Sequence, residues 1–319
     1  QTYSKQTELW LKQLEEHLSR ESVTLAGSKS PGTAMPLSTQ TVGQQTAKFN
    51  HEIDARWTMA YAAGLGDTDE CYMNTQVHAD VLAHPVFPVC VEWPVILDAR
   101  NLNTDVVMTN EESARSVHAS HDLHILRPIR AGDTLTTQAT VIGVEKIRPG
   151  AAQHIRLDTI NQNDDLVTRT YQLSISRGVD LVGERRFIEE PPSWPDFPDA
   201  GTVKKIDIPV IAGSANIYTE TAKIFNPIHS DKATAIAAEL PDIILHGTAT
   251  LALAISQIVN HYTPGYPEKI SRLGGRFSAM VLMPSTLTLE IHAETETGIS
   301  YSLFTESGET AISNGFVCW

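Results

Sequence analysis

Lys223-Ile224-Phe225-Asn226-Pro227-Ile228-His229 (KIFNPIH, 223–229) has a counterpart earlier in the chain, Gly66-Asp67-Thr68-Asp69-Glu70-Cys71-Tyr72 (GDTDECY, 66–72), at an offset of 157 residues. Two further pairs follow in the same order. His84-Pro85 and His246-Gly247, 162 residues apart, each precede an apolar segment, and GDTLTTQATV (132–141) aligns with PSTLTLEIHA (284–293) at an offset of 152. Each match alone is weak, but three in one order at a nearly constant offset indicate an internal duplication. The coarse pattern around each copy also repeats: a short helix and polar loop, one longer apolar helix, then several strands. Thr248 to Val259 (TATLALAISQIV) is apolar almost all round, as a helix buried on every side should be. After it, Arg276–Val281, Leu287–Ala293, Ile299–Thr305 and Ala311–Val317 alternate as strands do, with Pro, Gly or Ser between them. Leu135–Val144, His154–Ile160 and Leu166–Ile175 behave alike in the first copy. A wholly apolar helix has to be covered, and a curved antiparallel sheet covers it. The expected fold class is therefore α+β: a tandem (double) hotdog, each half an antiparallel sheet wrapped around one apolar helix.

Working outward, Glu190 to Pro198 (EPPSWPDFP) marks the boundary between the copies, because repeated Pro blocks both helix and central strand. Residues 5–20 read as an amphipathic helix, with Leu9, Leu11, Leu14 and Leu18 near helical spacing, and residues 26–46 read as a loop or linker. The expected division is 1–44 as N-terminal helix and linker, 45–189 as a first, degenerate hotdog, 190–204 as a Pro-rich linker, and 205–319 as the hotdog carrying the site. At 319 residues the chain has room for two domains of ordinary size, each with its own core.

With 24 Lys and Arg against 38 Asp and Glu, the chain carries a net charge of −14, which argues against nucleic acid, because a phosphate-binding surface needs clustered cations. Small molecules, anionic ones included, stay open through a local basic patch. Cys71, Cys90 and Cys318 are widely spaced and odd in number, so they read as reduced thiols rather than a disulfide framework or a metal pair. No apolar run reaches the roughly 18–20 residues of a membrane span. The chain opens on Gln1 rather than Met, which leaves a targeting segment out of view. The expected location is the cytoplasm or an organelle matrix, mitochondrial or peroxisomal included.

Ile224 through Asp231, followed by Leu240-Pro241-Asp242-Ile243-Ile244-Leu245-His246-Gly247-Thr248, resembles the MaoC-like family of (R)-specific enoyl-CoA hydratases and 3-hydroxyacyl-thioester dehydratases. The motif there runs Gly-Asp-x-Asn-Pro-hydrophobic-His, and a His-Gly pair opens the central helix further on. Tyr61 through Thr68, and Arg127-Pro128 through Gly132-Asp133-Thr134-Leu135, look like the first hotdog of the same family. The resemblance spans residues 45–319. It departs at one position: the family has an Asp five residues before the His, and here that position is Ile224. The first copy is the reverse, with Asp67 in the Asp position and Tyr72 in place of the His. Neither half has the complete pair.

The resemblance implies hydration of a 2-enoyl thioester, or dehydration of a 3-hydroxyacyl thioester, carried on coenzyme A or on an acyl carrier protein. An acidic chain disfavours an acidic carrier. Such chemistry moves a proton at the α-carbon and steadies negative charge on the thioester oxygen. His229 suits the first task, since imidazole titrates near neutrality. The N–H of Gly247, at the start of the apolar helix, suits the second. Asn226 holds water or substrate through its amide, or simply forms the turn before Pro227. With Ile224 in the Asp position, either His229 works as a lone base, passing the α-proton to the departing hydroxyl on the same face, or another carboxylate helps. Asp231 can orient the imidazole or cap the next helix. Asp67 can contribute only if the halves bring their equivalent loops together. Phe225, His246 and Thr248, with Asp67 and Tyr72, are the residues expected to bind substrate. His118, His121 and His124 read as strand or loop rather than a metal site. Trp57, Trp93 and Phe87 read as core. No metal or cofactor is called for, and no nucleic-acid or membrane partner; a monomer and a homodimer both fit. Two other readings stay open, a biosynthetic isomerase or cyclase reusing the pocket on a polyketide-like substrate, and a non-catalytic acyl-binding protein.

Overall fold

The computed structural model describes residues 37–78, 80–100, 102, 116–198 and 201–319; the amphipathic helix expected over 5–20 lies outside them. In the first half, β1 (Leu37–Ser38) and β2 (Phe49–Glu52) lead to helices α1 (Ala55–Gly64), α2 (Glu70–Met73) and α3 (Pro88–Ala99). Strands β3 (Ser116–Ile125), β4 (Thr134–Ile147), β5 (Gly150–Ile160), β6 (Leu166–Arg177), β7 (Leu181–Val182) and β8 (Arg186–Phe187) follow. The second half repeats the plan with β9 (Lys204–Val210), α4 (Ser214–Ala222), α5 (Lys232–Ala237), the long helix α6 (Gly247–Tyr262), β10 (Arg272–Phe277), β11 (Ser285–Thr295), β12 (Gly298–Phe304) and β13 (Thr310–Cys318). Among the described residues, eleven strands form one sheet in the order β2-β4-β5-β6-β3-β10-β13-β12-β11-β9, with β8 beside β4. Its pairings are antiparallel, and β3 joins β10 at the seam between the halves. Two central helices, α3 and α6, lie against this sheet, which is the double hotdog.

The seam explains one strand that the alternation misplaces. The stretch expected at Arg276–Val281 is instead β10, Arg272–Phe277, with Gly274 and Gly275 at its centre. Glycine weakens a strand pattern, yet here close backbone approach requires it. A Cβ on Gly274 would lie 2.4 Å from the His121 carbonyl oxygen, and one on Gly275 would lie 2.7 Å from a methyl of Ile312. His121 pairs with Gly275 across the seam.

The cores of the two halves are joined: one apolar cluster runs from Trp57, Phe87 and Leu123 to Ile208, Leu251 and Leu303, across the edge-to-edge sheet and the packing of α1 on α4, while a second cluster stays within the first half. The end of the segment expected as an N-terminal linker packs on the sheet. Leu37 and Val42 are buried with Ala139 and Val141 of β4, and the Thr46 hydroxyl accepts the Ala139 N–H at 2.9 Å. Apolar side chains among the small polar residues hold this segment to the sheet.

Equivalent residues meet between the halves. Tyr61 on α1 and Tyr218 on α4, 157 residues apart like the repeat itself, put their buried hydroxyls 3.1 Å from one another. Asp67 crosses the same boundary. Its carboxylate accepts from Ser256 Oγ (2.7 Å) and Asn260 Nδ2 (3.4 Å) on α6 and lies 3.5 Å from His84 Nε2. His84 Nδ1 accepts the Val86 N–H at 3.1 Å, so in the neutral ring the proton sits on Nε2, facing Asp67. Burial keeps that ring neutral, with a pKa of about 3. Asp67→Ala takes this acceptor from two buried groups, Ser256 and His84, and is expected to cost about 2–3 kcal/mol in urea unfolding, whereas Asp67→Asn, which keeps an acceptor, should cost less than half as much.

Candidate active site

The site is built on a loop that the sequence makes rigid. Asn226 is extended, and Pro227 opens a single 3-10 turn over Pro227–His229, because its fixed φ suits the first position. The His229 N–H donates to the Asn226 carbonyl at 3.1 Å, which closes the turn. The His229 side chain is 9% exposed. Its Nδ1–H donates to the Ile244 carbonyl at 2.8 Å, and the Leu245 N–H donates to Val281 O at 2.8 Å, tying that segment to the strand-side wall. A carbonyl only accepts, so the neutral tautomer is fixed: the proton is on Nδ1 and the lone pair is on Nε2. Nε2 makes no hydrogen bond to a described residue and keeps contact with solvent.

The His229 ring stacks on His246, centroids 3.8 Å apart at 25°. His246 is the buried N-cap of α6, with Nε2 3.3 Å from Thr219 Oγ1. Burial lowers the His229 pKa to about 4, against the upward pull of the Ile244 carbonyl. Burial, then the charge His229 would carry, drive His246 further down. Both rings are neutral near pH 7, when the unshared pair on His229 is available. The sign for catalysis follows: a proton-accepting His229 is lost only as pH falls through about 4. The acid limb of kcat/KM should therefore lie near pH 4, rather than at the ordinary histidine value of about 6.5. A limb at the ordinary value would show that burial does not control this base.

Next to His246 are backbone donors without acceptors. The N–H groups of Gly247, Thr248 and Ala249 meet no carbonyl or side-chain acceptor among the described residues; the first satisfied one is Thr250, to His246 O at 2.9 Å. Such a helix start favours an anion. The equivalent start in the first half is closed. Val86 N–H goes to His84 Nδ1 and Phe87 N–H to His84 O, Pro88 has no N–H, and Val89 and Cys90 donate to Val86 O and Phe87 O. Tyr72, in the His position, is fully buried. The second half alone pairs an open imidazole nitrogen with open N–H donors.

The other candidates separate. Ile224 is buried in the core, so the Asp position holds packing and no carboxylate. Asp231 is a correction to the catalytic set: exposed, it caps α5 by accepting the Thr234 N–H at 2.8 Å. Asp242 pairs with Lys232 at 2.8 Å. No described carboxylate is hydrogen-bonded or ion-paired to His229. Asp67 reaches across to Ser256 and Asn260 on α6, and the Tyr72 ring lies 6.1 Å from that of His84; neither is hydrogen-bonded to His229. Phe225 is 60% exposed, on the outside of the turn. Thr248 is placed beside the Tyr218 hydroxyl. The Asn226 amide makes no hydrogen bond to a described residue and stays half-buried at the turn. His118, His121 and His124 lie on β3, while Trp57 and Phe87 are core with Trp93 against it. Sequence reasoning passed over the Ile244 carbonyl and Thr219, which no residue pattern marks, and used His84 only as half of a repeat.

A double hotdog with one equipped half defines the class. Residues 197–313 match the MaoC like domain, and residues 40–170 match the FAS1-like, dehydratase domain region. The 3-hydroxyacyl-thioester dehydratase Y of Mycobacterium tuberculosis (strain ATCC 25618 / H37Rv) is 27% identical over 265 residues, 81% of this chain and 88% of that protein. A MaoC-like dehydratase from Phytophthora capsici superposes with a TM-score of 0.74 at 19% identity, over 86% of this chain and 95% of that one. A Mycobacterium tuberculosis protein described as a double hotdog superposes with a TM-score of 0.56 at 16% identity, over 87% and 95%. The second half of the chain is thus a MaoC-like domain, and the first half a FAS1-like dehydratase region. No helix among the described residues is long and apolar enough to cross a membrane.

Proposed function

We propose that the chain is a hydro-lyase that interconverts a 3-hydroxyacyl thioester and the 2-enoyl thioester, with His229 as its single acid/base. In dehydration, neutral Nε2 takes the α-proton while the thioester oxygen gathers charge against the N–H groups of Gly247 and Thr248. The C–O bond at the β-carbon then breaks, and Nε2–H returns the proton to the departing hydroxyl, giving water and the alkene. Hydration is the reverse. The Nδ1–H bond to Ile244 keeps the imidazole aimed through both transfers. The observation that carries this reading is the stack of His229 on His246, the residue immediately before the open N–H donors. The carrier is coenzyme A or an acyl carrier protein, and the compartment is the cytoplasm or an organelle matrix.

Crotonyl-CoA hydration followed at the enoyl absorbance tests this; no turnover of crotonyl-CoA or a longer enoyl-CoA sinks it. A second reading, isomerisation or cyclisation of a polyketide-like substrate, is favoured by the absence of a carboxylate partner, because proton transfer without activation of water needs one base only. It predicts no hydration of any thioester and a cyclic product retained by the protein. The acyl-binding reading is favoured by the burial of His229 and its bond to the Ile244 carbonyl, and opposed by its open Nε2.

A further inference from the structure

The inner face of the first half turns polar along β6, where a sheet covering a helix should be apolar. Thr168, Thr170 and Gln172 alternate along β6 and so share one face. They pair in register with Ile125, Leu123 and His121 on β3, and Leu123 belongs to the main core. Glu92, fully buried on α3, accepts a hydrogen bond from Thr170. Four members of this layer have buried polar atoms without a partner among the described residues: Glu92 Oε2, both nitrogens of His121, Gln172 Oε1 and Thr168 Oγ1. The strands equivalent to β6 and β3 in the second half, β13 and β10, instead place Ala311, Ile312, Val317 and Leu273 in the core. Unpaired buried polar atoms are costly, and native interiors hold few of them. Several in one layer call for a partner from outside the chain.

The layer also adjoins the site. A Cβ at Gly247 would meet the Phe277 ring at 3.4 Å, the His118 ring packs on Phe277 with centroids 4.8 Å apart, and His118 lies 5.3 Å from the His121 ring. A continuous wall thus runs from the N–H donors to His121 and Gln172. The donor and acceptor set fits a hydroxyl: a neutral His121 has an N–H to give, and Gln172 Oε1 has a lone pair to receive.

We propose that this layer is a specificity subsite for an oxygenated acyl chain, binding a hydroxyl carried far from the thioester through His121, Gln172 and Glu92. The inference rests on the thioester reading and names its substrate class. A site built to hydrogen-bond a substrate hydroxyl discriminates against the analogue that lacks it. The test compares kcat/KM for three probes, crotonyl-CoA, a medium-chain 2-enoyl-CoA and its terminally hydroxylated counterpart, in wild type, Gln172→Leu and Gln172→Met. Wild type should favour the hydroxylated chain over the plain one by about 10–100-fold. Both variants should bring that ratio close to one while leaving crotonyl-CoA turnover, which is too short to reach the layer, within about threefold of wild type. A wild-type ratio near one overturns the subsite whether or not the variants fold, and means that the layer holds only water. An unchanged ratio in a variant that still turns over crotonyl-CoA overturns it as well. Absence of crotonyl-CoA turnover in wild type is a different failure, that of the thioester reading itself.

Discussion

His229→Ala is expected to lower kcat for crotonyl-CoA hydration by about 10²–10⁴-fold while changing KM by less than about threefold, the loss typical of a positioned acid/base. The split follows from the geometry. The ring holds itself in place through Nδ1 and the Ile244 carbonyl, and offers the substrate only one nitrogen. An atom that exchanges a proton with the reacting carbon matters most as charge moves, so its removal lowers kcat. Truncation also removes half of a face-to-face imidazole pair, leaving His246 with Thr219. That loss costs some stability but no proton transfer, so the variant should stay folded with a modestly lower Tm. Steady-state kinetics beside a thermal melt separate the two effects. A wild-type-like kcat beside a lowered Tm, or a rise in KM at constant kcat, would make His229 a packing residue.

Where the sequence was legible, side chains alone set the structure. The apolar run of α6 needs a cover, Pro227 fixes a turn, and the spaced repeats give two copies of one unit, so the double hotdog followed from pattern. It was silent where backbone does the work. Gly274 and Gly275 look like strand breakers until the approach of His121 O and Ile312 is measured, and so β10 was placed too far along the chain. The joining of the cores was hidden for a related reason: Tyr61 and Tyr218 suit the core of either half, and only the meeting of α1 and α4 brings them together. At the site, His229 and Gly247 could be named because their types suit the chemistry. The Ile244 carbonyl that fixes the tautomer could not, since every residue has one. Asp231 shows the opposite error. A carboxylate two residues from the histidine looks useful, but the first free N–H groups of α5 claim it.

Gly247→Pro is expected to lower kcat by about 10²–10³-fold, the loss seen when one donor to a developing oxyanion is deleted, while the protein stays folded. The substitution is unusually clean here. Gly247 is the first residue of α6, where a helix N–H has no internal partner and where proline's fixed φ is already suited to the helix. Proline also restricts the residue before it to extended backbone, and His246 already has φ −60 and ψ 140. Space is available too, since the nearest atom to an added Cβ is Phe277 at 3.4 Å, ordinary contact. Gly247→Ala is the control: it adds the same Cβ, keeps the N–H and should retain at least about a third of wild-type kcat. If alanine and proline are equally damaging, steric exclusion of the substrate is the cause and the oxyanion role falls. If both are harmless, the charge on the thioester oxygen is met by Thr248 or Ala249 instead. Loss with proline alone ties the chemistry to one backbone N–H, the one that the first half of the molecule, with Pro88 at the start of its own helix, does not have.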